Sequence, residues 1–247
     1  MTTKVAVVGA TGKMGQLSCR IIEEASDLEL FAALGSKDSL DALLGADIVL
    51  DFTIPAVSLD VVEFAIGHDL SVLVGTSGWS NERIGTLTAL VREHPEVGIV
   101  VVPNFSIGSV LATSFAATAA RFYDSIEIIE AHAASKLDSP SGTATRTAEL
   151  IGAARIAQGP VIAPHADQRA RGQQVASVPI HSLRMQGIVA KQDVVFGGDG
   201  EVLTITHETI SPSSYEKGIL LALRAVPAVR GVLVGLDKVI DFSNSDE

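Results

Sequence analysis

The sequence has a single cysteine, Cys19, among its 247 residues. One thiol excludes an internal disulfide and is typical of a protein kept in a reducing compartment. No apolar run reaches the ~20 residues that a transmembrane helix needs, and the apolar start of the chain ends in glycines rather than in a cleavage signal. These absences predict a cytoplasmic protein with no membrane partner.

Basic residues are also scarce, because 18 lysines and arginines face 29 carboxylates and give a formal net charge of −11. Nucleic acids and anionic membranes attract a basic face, so we expect neither as a general partner. A local basic pocket for a small anion stays compatible with this balance. No group of histidines, cysteines and carboxylates has the spacing of metal ligands, so we predict no metal.

Strand and helix patterns alternate over the first hundred residues, which predicts a parallel sheet. After about residue 106 the pattern changes to a long helix at 106–123, a strand at 125–133 and a helix at 141–157. A loop at 158–176 leads to three successive strands, for which antiparallel pairing is expected. The fold class predicted is α/β, with a Rossmann-like part followed by an α+β part that has a mixed sheet.

A glycine motif opens the chain, with Gly9, Gly12 and Gly15 in the segment "VAVVGATGKMGQ". Glycines at this spacing let a strand turn tightly into a helix and let the backbone approach a pyrophosphate, which the helix N-terminus attracts. The position between a strand and a helix is the context that the motif requires. We predict a dinucleotide site here, with a purely structural turn as the alternative.

The end of the second predicted strand indicates which dinucleotide binds. NAD-binding folds place a carboxylate there for the ribose hydroxyls, whereas this chain has Gly35, Ser36 and Lys37, with Asp38 slightly late. Together with Lys13 in the glycine turn, these residues favour a 2′-phosphate. NADPH is therefore the preferred cofactor and NADH a possible one, unless both lysines are merely solvated surface charges.

Three further turns fall at the carboxyl ends of predicted strands, where ligands of open α/β sheets bind. They are "DFT" at 51–53, "GTSG" at 75–78 and "PNFS" at 103–106. Small and hydroxyl side chains there could border a nicotinamide ring. Alone, each is also compatible with an ordinary tight turn.

The segment "HAASKLDSPSGTA" at 132–144 combines titratable groups with a helix start. His132 ends a strand, Lys136 follows in a loop, and Ser141, Gly142 and Thr143 begin a helix with their N–H groups free. Such a site suits a carboxylate, and an imidazole beside it can move a proton at neutral pH. The alternative is a capped helix with an exposed lysine and a strand-end histidine.

These motifs resemble the dihydrodipicolinate reductase family of bacterial lysine biosynthesis. That family carries an E-x-H-H-x-x-K-x-D-A-P-S-G-T-A segment, and Glu130, His132, Lys136, Asp138 and the run 140–144 match it. "GATGKMG", "DFT", "GTSG" and "PNFSIG" match other family motifs in the same order. The segment from 180 to 208 resembles a family sheet, and the final "GLDKVID" resembles its closing strand.

The resemblance implies a domain organisation. Residues 1–106 and 214–247 would form the dinucleotide-binding domain, and residues 107–213 the domain that binds substrate and forms a homotetramer. The domains would close about hinges near residues 106 and 213.

The resemblance also implies the chemistry, which is hydride transfer from NAD(P)H to an unsaturated six-membered nitrogen ring bearing two carboxylates. His132 would protonate the ring, Lys136 would support that proton transfer and hold a carboxylate, and the helix start at Ser141, Gly142 and Thr143 would bind a carboxylate. The residues implied to line the cofactor are Gly9, Ala10, Thr11, Gly12, Lys13, Met14, Ser36, Lys37, Phe52, Thr53, Gly75, Thr76, Ser77, Val102, Pro103, Asn104 and Phe105.

The chain departs from the family pattern at a few positions. The second histidine of the motif is Ala133, and an expected arginine is Pro212. Arg184 and Lys191 are the candidates to replace the lost substrate contacts. The departures leave open a related reductase with another dicarboxylate substrate, or a non-catalytic nucleotide-binding paralogue. A semialdehyde dehydrogenase would need a nucleophilic cysteine, and Cys19, in the first helix, is better explained as inert packing.

Overall fold

The computed structural model describes residues 2–240, which belong to two units. The first unit holds the chain up to Phe105 and again from Tyr215, and the second unit is Ser106–Ser214. In chain order the regular elements are β1 (Thr3–Val8), α1 (Lys13–Glu24), β2 (Leu28–Leu34), β3 (Ile48–Asp51), α2 (Ser58–Gly67), β4 (Ser71–Val74), α3 (Asn81–Leu90), β5 (Gly98–Val101), α4 (Ile107–Ala119), β6 (Ser125–Ala133), α5 (Gly142–Ala154), β7 (Gln173–Val175), β8 (Val178–Met185), β9 (Ala190–Gly198), β10 (Glu201–Thr209), α6 (Glu216–Ala225) and β11 (Gly231–Val234).

The first unit is built on a six-stranded sheet in the order β2-β1-β3-β4-β5-β11, with every pair parallel. Its short central strands β3 and β5 are buried along their whole length, which is typical of a parallel sheet covered by helices on both faces. The strand order reverses between β1 and β3, and such a switch point is where open α/β sheets bind their ligands. The predicted Rossmann-like fold is confirmed.

The second unit is built on a five-stranded mixed sheet in the order β10-β9-β6-β8-β7. Strand β6 pairs parallel with β8 and antiparallel with β9. Antiparallel pairing of successive strands is therefore right for β9 and β10 but wrong for β8 and β9, because β6 lies between them. The predicted loop at 158–176 is also wrong in part, since Gln173–Val175 pairs with β8 as a short edge strand.

Helices α4 and α5 pack against each other and against one face of this mixed sheet. The core between them contains Ile126, Ile128, Ile151 and Phe196. Side chains that alternate with the core positions point to the opposite face, and several large apolar ones are exposed there: Ile129 is 39% exposed, Leu183 38%, Met185 48% and Val202 70%.

The end of the chain differs from the prediction. Residues 236–238 form a 3₁₀ turn, and the strand that joins the parallel sheet is β11, just before it. The last residue of the predicted strand, Asp241, lies outside the described residues. Between residues 2 and 240, no helix is long and apolar enough to cross a membrane.

Candidate active site

The glycine turn of the first unit is closed by contacts that only glycine permits. Gly9 has φ of +82°, and a Cβ there would lie 2.4 Å from the Phe52 carbonyl oxygen. A Cβ on Gly15 would lie 2.2 Å from the Gly9 oxygen, so the first turn of α1 sits directly on the loop. Gly12 is the N-cap of α1 and supplies no capping side chain. This cradle of backbone beside an uncapped helix N-terminus fits a pyrophosphate.

The three other predicted turns follow the neighbouring strands β3, β4 and β5. Gly75 leaves room for the Phe52 ring, which a Cβ there would approach to 2.1 Å. The Phe52 ring in turn contacts Phe105, with ring centroids 5.5 Å apart. The turns that the sequence analysis found separately therefore pack against one another at the carboxyl edge of the sheet.

Not every predicted cofactor residue in these turns offers its side chain. The buried Asp51 carboxylate accepts hydrogen bonds from the Thr53 amide (2.9 Å), the Thr53 hydroxyl (2.6 Å) and the Ser58 hydroxyl, so the Thr53 hydroxyl is engaged inside the turn. Val102 and Phe105 are buried in the unit. A ligand would meet these positions mainly through their backbone.

The Asp38 carboxylate reaches back to the end of β2, although Asp38 itself comes after Gly35, Ser36 and Lys37 in the chain. Its carboxylate accepts a hydrogen bond from the Gly35 amide at 2.7 Å, which folds the segment back toward Thr11 of the glycine turn. Lys13 and Lys37 are both exposed, and among the described residues neither forms a salt bridge. The segment after β2 thus presents an exposed lysine next to a carboxylate that is held by the backbone.

His132 lies at the end of β6 and has a buried carboxylate as its partner. Its Nδ1 lies 2.6 Å from Oε2 of Glu130, two residues earlier on the same face of the strand. A carboxylate accepts only, so Nδ1 carries a proton and Nε2 is the nitrogen that can exchange one. The His132 side chain is 18% exposed, whereas the Glu130 side chain is fully buried.

Glu130 is held by more than His132. Arg184, which lies opposite His132 on β8, donates to both carboxylate oxygens at 2.9 Å, and the Ser141 amide donates to Oε1 at 3.2 Å. Burial alone would raise the pKa of this carboxyl, but the hydrogen bonds from Arg184, Ser182 and His132 outweigh burial and hold the pKa below its ordinary value. Glu130 is therefore a buried anion with a full set of donors.

The start of α5 differs from the prediction that all three of its first amides are free. The Ser141 amide is taken by Glu130, and the Ser141 hydroxyl caps the helix by accepting from the Ala144 amide. Gly142 is exposed, and a Cβ there would meet nothing within 4 Å. The exposed position at the start of the helix is therefore Gly142 rather than Ser141.

Lys136 lies in the loop between β6 and α5, where its Nζ pairs with Oδ1 of Asp138 at 2.7 Å. The hydrogen bond from Lys136 lowers the pKa of Asp138. The loop is fixed at both ends, since the Ala134 amide donates to the Met185 carbonyl and Arg184 donates to the Asp138 carbonyl. The ammonium is therefore held on the same loop as the helix start.

The two basic residues named as candidates for the lost substrate contacts both have partners within the chain. The Arg184 guanidinium is paired with Glu130 and the Asp138 carbonyl, and Lys191 pairs with Asp193 at 3.2 Å. Glu130 was matched to the family motif without a role. Its place two residues before His132 on a strand was the available signal, because such residues share a face.

Among the described residues no group of three His, Cys or carboxylate side chains could hold a metal ion.

Comparison with known proteins identifies matches over nearly the whole chain. Residues 3–105 match the family model described as dihydrodipicolinate reductase, N-terminus, and residues 108–240 the model described as dihydrodipicolinate reductase, C-terminus. The 4-hydroxy-tetrahydrodipicolinate reductase of Clavibacter michiganensis subsp. michiganensis is 67% identical over 247 residues, which cover 100% of this chain and 89% of that protein. The enzyme of the same name from Streptomyces griseus subsp. griseus is 44% identical, covering 97% and 98%.

Comparison with solved structures identifies the same family. A dipicolinate-bound dihydrodipicolinate reductase from Paenisporosarcina sp. TG-14 superposes with a TM-score of 0.84 at 30% identity and covers 97% of this chain and 100% of that one. The NAD complex of GenD2, from gentamicin A biosynthesis, reaches a TM-score of 0.60 at 15% identity, which shows a shared fold.

Proposed function

Because the chain belongs to the dihydrodipicolinate reductase family, we propose that it reduces 4-hydroxy-tetrahydrodipicolinate to tetrahydrodipicolinate, with a nicotinamide dinucleotide as reductant, in lysine and diaminopimelate biosynthesis. The observation that carries the proposal is His132. Its Nδ1 is fixed on a buried carboxylate, and the loop that follows its strand carries Lys136 and leads to the exposed Gly142 at the start of α5.

The residues of the second unit would bind and protonate the substrate. The reaction adds one hydride and one proton to the substrate and removes one water molecule. The dinucleotide, when bound, supplies the hydride. His132 donates the proton from Nε2, since Nδ1 is held by Glu130. Lys136 and the start of α5, at Ser141, Gly142 and Thr143, bind a substrate carboxylate.

The residues of the first unit would hold the cofactor. The turn from Gly9 to Met14 receives the pyrophosphate, as its glycine contacts allow, and the turns after β3, β4 and β5 border the nicotinamide. Lys13 and Lys37 would favour the 2′-phosphate of NADPH, while Asp38 would accept from the ribose hydroxyls of NADH. We therefore expect NADPH to be preferred and NADH to be usable.

The second unit would also carry the assembly. The sheet face opposite α4 and α5 exposes Ile129, Leu183, Met185 and Val202, and apolar groups of this size gain stability when a second copy covers them. A homotetramer that uses this face would bury these exposed apolar side chains.

The single cysteine is typical of a protein of the cytoplasm.

The test is an assay with the condensation product of pyruvate and aspartate semialdehyde. Oxidation of NADPH and of NADH is followed separately at 340 nm. We expect both to be consumed, NADPH with the lower KM. Consumption of neither reductant would favour the non-catalytic paralogue. A nucleophilic-cysteine dehydrogenase is disfavoured, because burial raises the pKa of the Cys19 thiol and keeps it protonated.

A further inference from the structure

We propose that Glu130 is the positioning residue of the reaction, which fixes the proton of His132 on Nδ1, and that Arg184 neutralises Glu130 so that a dianionic substrate can bind nearby. This inference rests on the proposed function and adds two residues to it.

The geometry of the pair determines the tautomer of His132. With Nδ1 at 2.6 Å from a buried carboxylate oxygen, the neutral imidazole keeps its proton there, and the charged imidazole has its second proton on Nε2. Without the carboxylate, this hydrogen bond would no longer favour one nitrogen, and part of the population would present the wrong one. Orienting the base in this way is the role of the third member of a catalytic triad.

Arg184 neutralises the negative charge of the Glu130 carboxylate. A buried carboxylate near the substrate would repel a ligand with two carboxylates. The bidentate pair with Arg184, at 2.9 Å on both oxygens, cancels that charge. The arginine side chain is itself only 20% exposed, so the attraction is weakly screened by solvent.

The same two residues tie together the parts of the site. Glu130 accepts from the Ser141 amide at the start of α5, and Arg184 donates to the Asp138 carbonyl in the loop that carries Lys136. His132, the loop that carries Lys136 and the N-terminus of α5 are therefore all hydrogen-bonded to the same ion pair of Glu130 and Arg184. The charged groups around His132 are Glu130 on its own strand, Arg184 on β8, and Lys136 and Asp138 in the loop.

Glu130→Gln tests the proposal, because the amide keeps the shape but cannot enforce the tautomer. We expect kcat to fall about 100-fold, at the low end of the range for general acid catalysis, with a smaller change in the KM for substrate. The matched control is Glu127→Gln. Glu127 lies on the same strand and also pairs with an arginine and a histidine, Arg171 and His181, but on the other face. The kcat of Glu127→Gln should stay within about twofold of the wild-type value.

A double variant separates loss of proton positioning from loss of stability. The separation is needed because Glu130→Gln leaves Arg184 buried without its carboxylate partner. Glu130→Gln with Arg184→Met removes both charges and should restore the thermal midpoint while kcat stays low. Recovery of kcat to the wild-type value in the double variant would overturn the proposal, since Glu130 would then serve only to balance Arg184.

Histidine ¹⁵N spectra give a readout independent of turnover. The wild type should show the His132 signals of a Nδ1-protonated ring, assigned by their loss in His132→Gln among the six histidines, and Glu130→Gln should show a mixture. An unchanged spectrum and unchanged kcat in Glu130→Gln would contradict the proposal. Failure of the wild type itself to consume NADPH would count against the proposed reaction instead, whatever the spectra show.

Discussion

At the scale of single residues, His132 carries the largest share of the proposed chemistry. Replacing it with Gln removes the exchangeable Nε2 proton while leaving a polar side chain against Glu130. We expect kcat to fall by about 10²–10⁴-fold, because a proton donor acts in the transition state, with little change in substrate affinity. Steady-state kinetics with a parallel binding titration measures the two effects. Normal turnover would remove His132 from the mechanism.

Lys37 tests the choice of cofactor. Lys37→Glu places a negative charge where the 2′-phosphate is proposed to lie, so the KM for NADPH should rise about tenfold, equivalent to about 1.4 kcal/mol, with little change for NADH. Asp38→Asn is the companion variant and should affect NADH more than NADPH. Equal effects of Lys37→Glu on both cofactors would show that the lysine does not contact the phosphate.

His207 links a single residue to the pH dependence of stability. Burial lowers the pKa of this imidazole below its ordinary value of 6.5, so the folded chain keeps it neutral, 3.1 Å from the Ser106 hydroxyl. The unfolded chain binds the proton first, so this contribution is present above pH 6.5 and is lost as the pH falls through the folded pKa.

Removal of the histidine should therefore flatten the acid side of the stability profile. Thermal midpoints measured between about pH 7.5 and about pH 5.5 should fall less for His207→Gln than for the wild type. Parallel profiles would mean that the buried imidazole does not contribute.

At the scale of elements, the glycine turn and α1 form the part of the cofactor site that tolerates least change. A methyl group on Gly15 would lie 2.2 Å from the Gly9 oxygen, so Gly15→Ala should push α1 off the turn and weaken dinucleotide binding at least tenfold, about 1.4 kcal/mol. Titration of protein fluorescence with NADPH measures the affinity.

Gly85→Ala is the matched control for that variant. A Cβ at this helical position meets nothing within 4 Å, so alanine should leave affinity unchanged and raise stability by up to about 1 kcal/mol. Equal loss of affinity in both variants would mean that the effect of Gly15→Ala is not local to the turn.

The elements also show how far the sequence could be interpreted. Periodicity predicted β6 residue by residue, at 125–133, because alternation is a local property. The placement of β6 between β8 and β9 was not predictable, since pairing depends on contacts between distant segments. The same limit hid the role of Arg184, which lies 54 positions from Glu130 in the sequence.

At the scale of the whole molecule, the uncovered face of the mixed sheet predicts assembly. Leu183→Asp places a charge among the exposed apolar side chains of that face and should shift the mass measured by light scattering from a tetramer to smaller species. Ile156→Asp, at an exposed position just after α5, is the control and should leave the mass unchanged. A monomeric wild type would contradict the proposed assembly.

The central claim is that a dicarboxylate binds at the start of α5 beside the Nε2 of His132. A crystal structure of the protein with dipicolinate, a planar dicarboxylate related to the substrate, tests this most directly. We predict one carboxylate within hydrogen-bond distance of the Gly142 amide and the Lys136 ammonium, with the ring facing His132. Dipicolinate bound elsewhere, with no carboxylate at the start of α5, would contradict the claim.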